Sequence, residues 1–179
     1  HRYPRLKAAA AGIAALVNHG VVEETNQYIG LKGLNLEEHF RRLVPIPMTV
    51  GNDMNFLTMG CWAQKHPDAG SLVTLFMGGN GIGGGMVING QLWTGASGYC
   101  SEVGFLPVYA VTVNPHMMVL YRHPLLEGRL DEIRRLCASY LPSKAIPSIE
   151  LSYDYQQDYE KGLFTVAKSM GQAVSEGGL

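Results

Sequence analysis

Residues 78–85 read Gly-Gly-Asn-Gly-Ile-Gly-Gly-Gly, and no other stretch restricts the possible folds as strongly. Glycine has no Cβ, so the backbone there turns tightly or comes close to something. The run follows residues 71–77, an apolar and partly β-branched segment that is expected to be a strand. It feeds two further apolar runs, 86–88 and 91–93, which flank Asn89-Gly90. Asn-Gly between two such runs predicts a two-residue hairpin. The expected arrangement is strand, glycine turn, strand, hairpin. A dinucleotide-binding fingerprint is excluded, because it needs a helix directly after the glycines. A Walker loop is excluded too, since no Gly-Lys-Ser/Thr follows. Backbone N–H groups in a glycine turn can hold a phosphate without side-chain charge. A tight hairpin with no ligand explains the run equally well when it is taken alone.

Elsewhere the chain alternates between strand and helix signals, which predicts an α/β architecture. Residues 7–17 are small and apolar and break at Asn18-His19-Gly20; their second half is expected to be a buried central strand. Residues 23–33 read as loop. Asn35 with Glu38 three residues on has N-cap spacing and predicts a helix to about Leu43, closed by Pro45 and Pro47. Residues 48–50 form a short strand leading into Gly51-Asn52-Asp53. From Met54 to Lys65, Phe56, Leu57, Met59, Gly60 and Ala63 fall at helical spacing. A strand is expected over 117–121. A helix over 127–140 should face inward with Leu130, Ile133, Leu136 and Cys137. A strand over 147–152 and a helix over 159–174, facing inward with Leu163, Val166, Ala167 and Met170, complete the pattern.

Two more constellations point to chemistry. Asn52-Asp53-Met54-Asn55 lies between a strand end and a helix start, where carboxylates of α/β folds face the ligand crevice. An aspartate there can accept a proton from a substrate hydroxyl, and Asn or Asp can equally be a plain helix cap. In residues 95–104, Gly-Ala-Ser-Gly-Tyr-Cys-Ser-Glu-Val-Gly, Glu102 sits between glycines and can reach a polar ligand or simply be an exposed loop residue.

Bulk properties remove several function classes. The formal net charge of -1 supplies no basic surface for nucleic acid or membrane. The longest apolar run, 8–17, is too short to span a bilayer, and no signal-peptide pattern is seen. Cys61, Cys100 and Cys137 are widely spaced with no Cys-x-x-Cys pair, so neither a disulfide framework nor a cysteine zinc site is supported. A reducing, cytoplasmic setting is expected. His19, His39, His66, His116 and His123 lack metal-ligand spacing, and no metal site is expected from them. Tyr153, Tyr155 and Tyr159 read as surface or packing residues, and Arg134 and Arg135 as a solvated helix face.

The order strand, Asn-Asp-x-Asn, helix, strand, Gly-x-Gly-Ile-Gly-Gly-Gly, strand, Asn-Gly, strand, Gly-Ala-x-Gly-x-x-x-Glu-x-Gly resembles the ROK family of bacterial sugar kinases and sugar-sensing repressors. The likeness is specific over 51–107 and looser outside it. It implies the actin-like ATPase and sugar kinase fold, ribonuclease H-like, with two α/β lobes and incomplete relative to the family. Residues 1–50 with a C-terminal helix over 158–179 would belong to the first lobe, and 51–157 to the second. By the same resemblance Asn52 and Asp53 hold sugar hydroxyls, with Asp53 as general base toward the γ-phosphate of ATP. Gly81, Gly83 and Gly84 hold ATP phosphates through backbone amides, Glu102 binds sugar hydroxyls, and Mg²⁺ neutralises the transferring group. A homodimer is implied, and DNA binding only if a helix-turn-helix precedes His1.

The sequence also departs from the family. Phe105 stands where the family carries a His that binds sugar and zinc. The Cys-x-Cys-Gly-x-x-Gly-Cys zinc segment is absent, so no zinc is expected. The N-terminal Asp-x-Gly-Gly-Thr phosphate loop is absent as well. Only residues 108–113 join the Glu-x-Gly segment to the Asn-Pro strand, where the family has many tens of residues. Either the chain is internally deleted, or its numbering closes over residues that are not present. The second is favoured, because losing a helical layer would expose apolar surface, and it predicts a Cα–Cα break between Pro107 and Val113. Two functions are carried forward: an ATP-dependent sugar kinase, which Asp53 supports, and a sugar-sensing repressor domain without phosphotransfer, which Phe105 favours.

Overall fold

The computed structural model describes residues 6–25, 27–78, 81–95, 100, 115–140 and 146–175. The glycine-run prediction is met at its core. β5 (Ser71–Gly78) pairs antiparallel with β6 (Gly81–Ile88), and β6 returns into β7 (Gln91–Leu92). Asn89 and Gly90 both take positive φ, 51° and 76°, as a primed two-residue turn demands. On the other side β5 pairs in parallel with β8 (Met117–Tyr121), which pairs in parallel with β9 (Ser148–Ser152). The result is a mixed five-stranded sheet ordered β7-β6-β5-β8-β9.

Period-two alternation divides this sheet into two cores. Val73, Leu75, Met86, Met118, Leu120 and Ile149 face one side, against α3 (Leu130–Tyr140). Leu72, Val119 and Tyr121 face the other, against Met54, Leu57 and Cys61 of α2 (Asp53–Lys65). Burying one such Leu or Val side chain contributes about 1.5–3 kcal/mol. Helix α4 (Tyr155–Ser175) lies along α2. The crossing is close because both helices present glycine: a Cβ on Gly60 would overlap the Asp158 carbonyl, and one on Gly162 the Phe56 carbonyl.

A second, smaller sheet pairs β1 (Ala9–Ile13) in parallel with β4 (Met48–Asn52), register Gly12 to Gly51 and Ile13 to Asn52. The expectation of one buried central strand through residue 17 is corrected. The chain bends at Ala14–Ala15 and resumes as β2 (Leu16–Asn18), antiparallel to β3 (Val21–Glu24) across a turn in which His19 and Gly20 take positive φ. β1 and β2 are half-buried throughout. The side chains of β1, mostly alanine, are too small to fill a central layer.

Helix α1 (Leu36–Leu43) follows the predicted cap: Asn35 Oδ1 accepts the Glu38 N–H at 2.9 Å. Two other helix boundaries shift. α3 starts at Leu130 rather than 127, because Gly128 adopts a left-handed φ of 71°. α4 starts at Tyr155 rather than 159, its first turn closed by the Asp158 N–H on the Asp154 carbonyl. Leu136, expected to face inward, is 58% exposed; Leu130, Ile133 and Cys137 do pack on the sheet.

One buried ionic cluster ties the layers together. Asp158, 0% exposed, accepts from Lys65 Nζ at 2.8 Å and from the Tyr121 hydroxyl at 2.7 Å. Lys65 also reaches Ser152 Oγ at 3.0 Å and Asp154 at 3.1 Å. Helix α2, helix α4 and strands β8 and β9 are thereby joined. Burial pushes the neighbouring Cys61 thiol up to about 12, so it stays protonated and unreactive.

Candidate active site at the start of helix α2

Asn52 and Asp53 sit where β4 ends and α2 begins, at the carboxyl end of the parallel β1–β4 pair. Ligands of open α/β sheets bind at such ends. Asn52 is the helix cap. Its Oδ1 accepts the N–H groups of Met54 at 2.9 Å and Asn55 at 3.3 Å. Its Nδ2 donates to the Ala15 carbonyl at 3.0 Å, which fixes the bend after β1. Most of the Asn52 carboxamide is therefore used within the fold.

Asp53 is the first residue of the helix. One carboxylate oxygen accepts the Met54 N–H at 2.9 Å, and no side chain among the described residues hydrogen-bonds to it. Burial raises its pKa above the ordinary carboxylate value, against the pull of the backbone N–H donors. A half-buried carboxylate with a raised pKa at a strand's end marks a candidate functional site.

An aromatic group stands beside it. Tyr155 and Tyr159, one helical turn apart on α4, stack with ring centroids 6.2 Å apart and 14° between planes. Phe76, near the end of β5, packs on Tyr155 at 4.8 Å. The pKa values of both tyrosines are raised, first by burial and then by the Asp53 charge. The Tyr159 hydroxyl donates to the Gly12 carbonyl at 3.3 Å, and Gly12 pairs with Gly51, two residues before Asp53. Tyr155 and Tyr159 pack against the buried cluster of α2 and the sheet, as expected, and do so beside Asp53. Their spacing of four on a helix was the available signal, and it became informative only once α4 was known to start at Tyr155.

The glycine hairpin approaches the same helix. Gly83 and Gly85 lie against α2: a Cβ on Gly83 would press on the Met54 side chain, and one on Gly85 would overlap Thr58. Helix packing alone therefore accounts for these two glycines. The ladder separates the three expected phosphate donors. Trp93 N–H bonds the Met86 carbonyl on the β7 side, so strand alternation turns the Ile82 and Gly84 amides to that outer edge and the Gly81 and Gly83 amides toward β5. Among the described residues β7 pairs only with Val87 and Ile88, which leaves the outer edge at Gly84 without a strand. Glu102, Phe105 and the 107–113 join lie outside the described residues.

Among the described residues no three His, Cys, Asp or Glu side chains gather as a metal site, and no helix is long and apolar enough to cross a membrane.

A glycine-rich antiparallel strand pair beside a helix that starts on Asn-Asp makes this an α/β protein with its candidate site at a strand's carboxyl end. A sequence model of the ROK family matches residues 2–118, more than half of the 179-residue chain, and the chain belongs to that family. It is 30% identical over 80 residues to a glucokinase from Halalkalibacterium halodurans, a match that spans 45% of this chain and 24% of that enzyme. A ROK family transcriptional regulator, homologous to the E. coli MLC protein, superposes with a TM-score of 0.77 at 14% identity, covering 94% of this chain and 64% of the regulator. A ROK family glucokinase from Streptomyces griseus, solved in complex with glucose and AMPPNP, superposes with a TM-score of 0.66 at 16% identity, covering 93% of this chain and 82% of that one. At such identities the superpositions establish the fold, which is the actin-like ATPase fold of ROK sugar kinases.

Proposed function

We propose that this chain carries the site of an ATP-dependent sugar kinase with Asp53 as general base. The observation that supports it most is the state of Asp53: half-buried, raised in pKa by that burial, without a side-chain hydrogen bond among the described residues, and seated at a strand's carboxyl end. A sugar hydroxyl loses its proton to the Asp53 carboxylate as its oxygen attacks the γ-phosphorus of ATP. The bond to the β,γ-bridging oxygen breaks, and ADP leaves. A raised pKa brings the base closer to the working pH and strengthens proton acceptance.

The remaining residues have supporting roles. The outward amide of Gly84 holds ATP phosphate, and Gly81 and Gly83 shape the strand pair that presents it. Asn52 contributes its remaining N–H to the sugar, and Glu102 accepts from sugar hydroxyls. Mg²⁺ is compatible with this donor set, since it binds through one or two carboxylates plus substrate phosphates and keeps its waters. The phosphates of bound ATP and water would hold it, away from the Asp53 carboxylate that accepts the proton, and it would neutralise charge on the transferring phosphoryl group.

The second reading is a sugar-sensing effector domain of a ROK repressor. Phe105 favours it, because phenylalanine offers a sugar no hydrogen bond. An ADP-release assay with D-glucose, N-acetylhexosamines and D-fructose separates the two. Sugar-dependent ADP release supports the kinase. Sugar binding without ADP release supports the sensor.

A further inference from the structure

We propose that Asn55 is a sugar-contacting residue, its Oδ1 accepting a hydrogen bond from a hydroxyl of the bound sugar; this rests on the reading of the Asp53 region as a sugar site. Asn55 is the last residue of the Asn-Asp-x-Asn motif, and the roles given to Asn52 and Asp53 leave it unused. It is 8% exposed, and its Oδ1 is buried with no hydrogen-bond partner. No other buried side-chain oxygen or nitrogen among the described residues is left in that condition.

Helical spacing shows how unusual this is. Asn55, Thr58 and Trp62 follow one another along one side of α2, the side that lies on the β5–β6 hairpin. Thr58 bonds the Met54 carbonyl and Thr74 Oγ1, and Trp62 Nε1 bonds the Ala69 carbonyl at 3.1 Å. Every polar group in this row is satisfied except the one in the first turn, nearest Asp53. The Asn55 backbone N–H is itself held by Asn52 Oδ1, so the residue is fixed in the same cap that places Asp53. A buried carbonyl oxygen without a donor is costly, and the cost is recovered when a ligand brings one. The ligand must offer a hydrogen-bond donor beside a general base. A sugar hydroxyl does so, whereas a phosphate, which only accepts, does not.

The test is Asn55→Leu, nearly the same shape without polar atoms. Affinities for D-glucose, N-acetyl-D-glucosamine and D-fructose are measured by calorimetry on the full chain, along with AMPPNP affinity and the unfolding temperature of the ligand-free protein. The proposal expects unchanged or improved ligand-free stability, because the unsatisfied oxygen is gone. It expects sugar affinity to fall roughly tenfold or more and AMPPNP affinity to hold. If Asn55→Leu does not fold, Asn55→Asp keeps the acceptor oxygen and is expected to retain sugar binding. Loss of stability with sugar affinity intact in either variant overturns the assignment while leaving the Asp53 reading in place. A wild-type protein that binds none of the sugars overturns both.

Discussion

Gly60 of α2 and Gly162 of α4 bring their helix backbones into contact: a Cβ on Gly60 would fall on the Asp158 carbonyl and the Gly162 nitrogen, and one on Gly162 on the Phe56 carbonyl. This crossing holds the helix that starts at Asp53 against the helix that carries Tyr155 and Tyr159. Alanine at either position places a Cβ on main-chain atoms, which cannot swing aside as a flexible side chain can. Gly60→Ala and Gly162→Ala should each destabilise the fold by about 1–3 kcal/mol or more, read as a lower denaturant midpoint. The control Gly30→Ala, where a Cβ meets nothing within 4 Å, should leave the midpoint nearly unchanged.

Lys65 neutralises the buried Asp158. Lys65→Met leaves that carboxylate in the interior without its cation, and should cost about 3–5 kcal/mol. The pair also sets an alkaline limit. Burial alone would lower the Lys65 pKa, but the carboxylates of Asp158 and Asp154 outweigh it and the net shift is upward. A group raised in the folded state contributes stability that is complete below its unfolded value of 10.5. That contribution is lost as pH rises through the folded value. Wild type should therefore lose stability in the strongly alkaline range, and Lys65→Met should lack that decline.

Asp53 pays for its placement with stability. Its folded pKa lies above the ordinary 3.8 because burial penalises the charged form. Stability linked to this group is complete below 3.8 and lost as pH rises through the folded value. Asp53→Asn should thus melt higher than wild type at neutral pH, and the gap should close on acidification. Thermal melts across an acid-to-neutral series check this. An equal gap at every pH would show that the carboxylate's charge is not the cause.

Local chemistry made much of the fold legible in the sequence. Asn35 with Glu38, Asn89-Gly90 and the apolar strand before the glycines each act within a few residues, and each formed as expected. What escaped depends on distant partners. That Gly83 and Gly85 serve the packing of α2 becomes evident only when Met54 and Thr58 are seen on them. Leu136 has helical spacing suited to the core, yet it is 58% exposed, while Leu130, Ile133 and Cys137 of the same helix pack on the sheet. The candidate site was half legible: Asn52 and Asp53 stood out through their strand-end position. Tyr155, Tyr159 and the unsatisfied Asn55 oxygen did not, since burial and neighbours 100 residues away in the chain are not written in a local motif.

The central claim is that Asp53 takes the proton of the attacking sugar hydroxyl. Direct transfer of the γ-phosphoryl group from labelled ATP to sugar, compared between wild type and Asp53→Asn, tests it most closely. The account predicts sugar-dependent label transfer by wild type, and a fall of roughly 10²–10⁴ in the variant with its sugar affinity largely kept. Equal background turnover in the two proteins would contradict it.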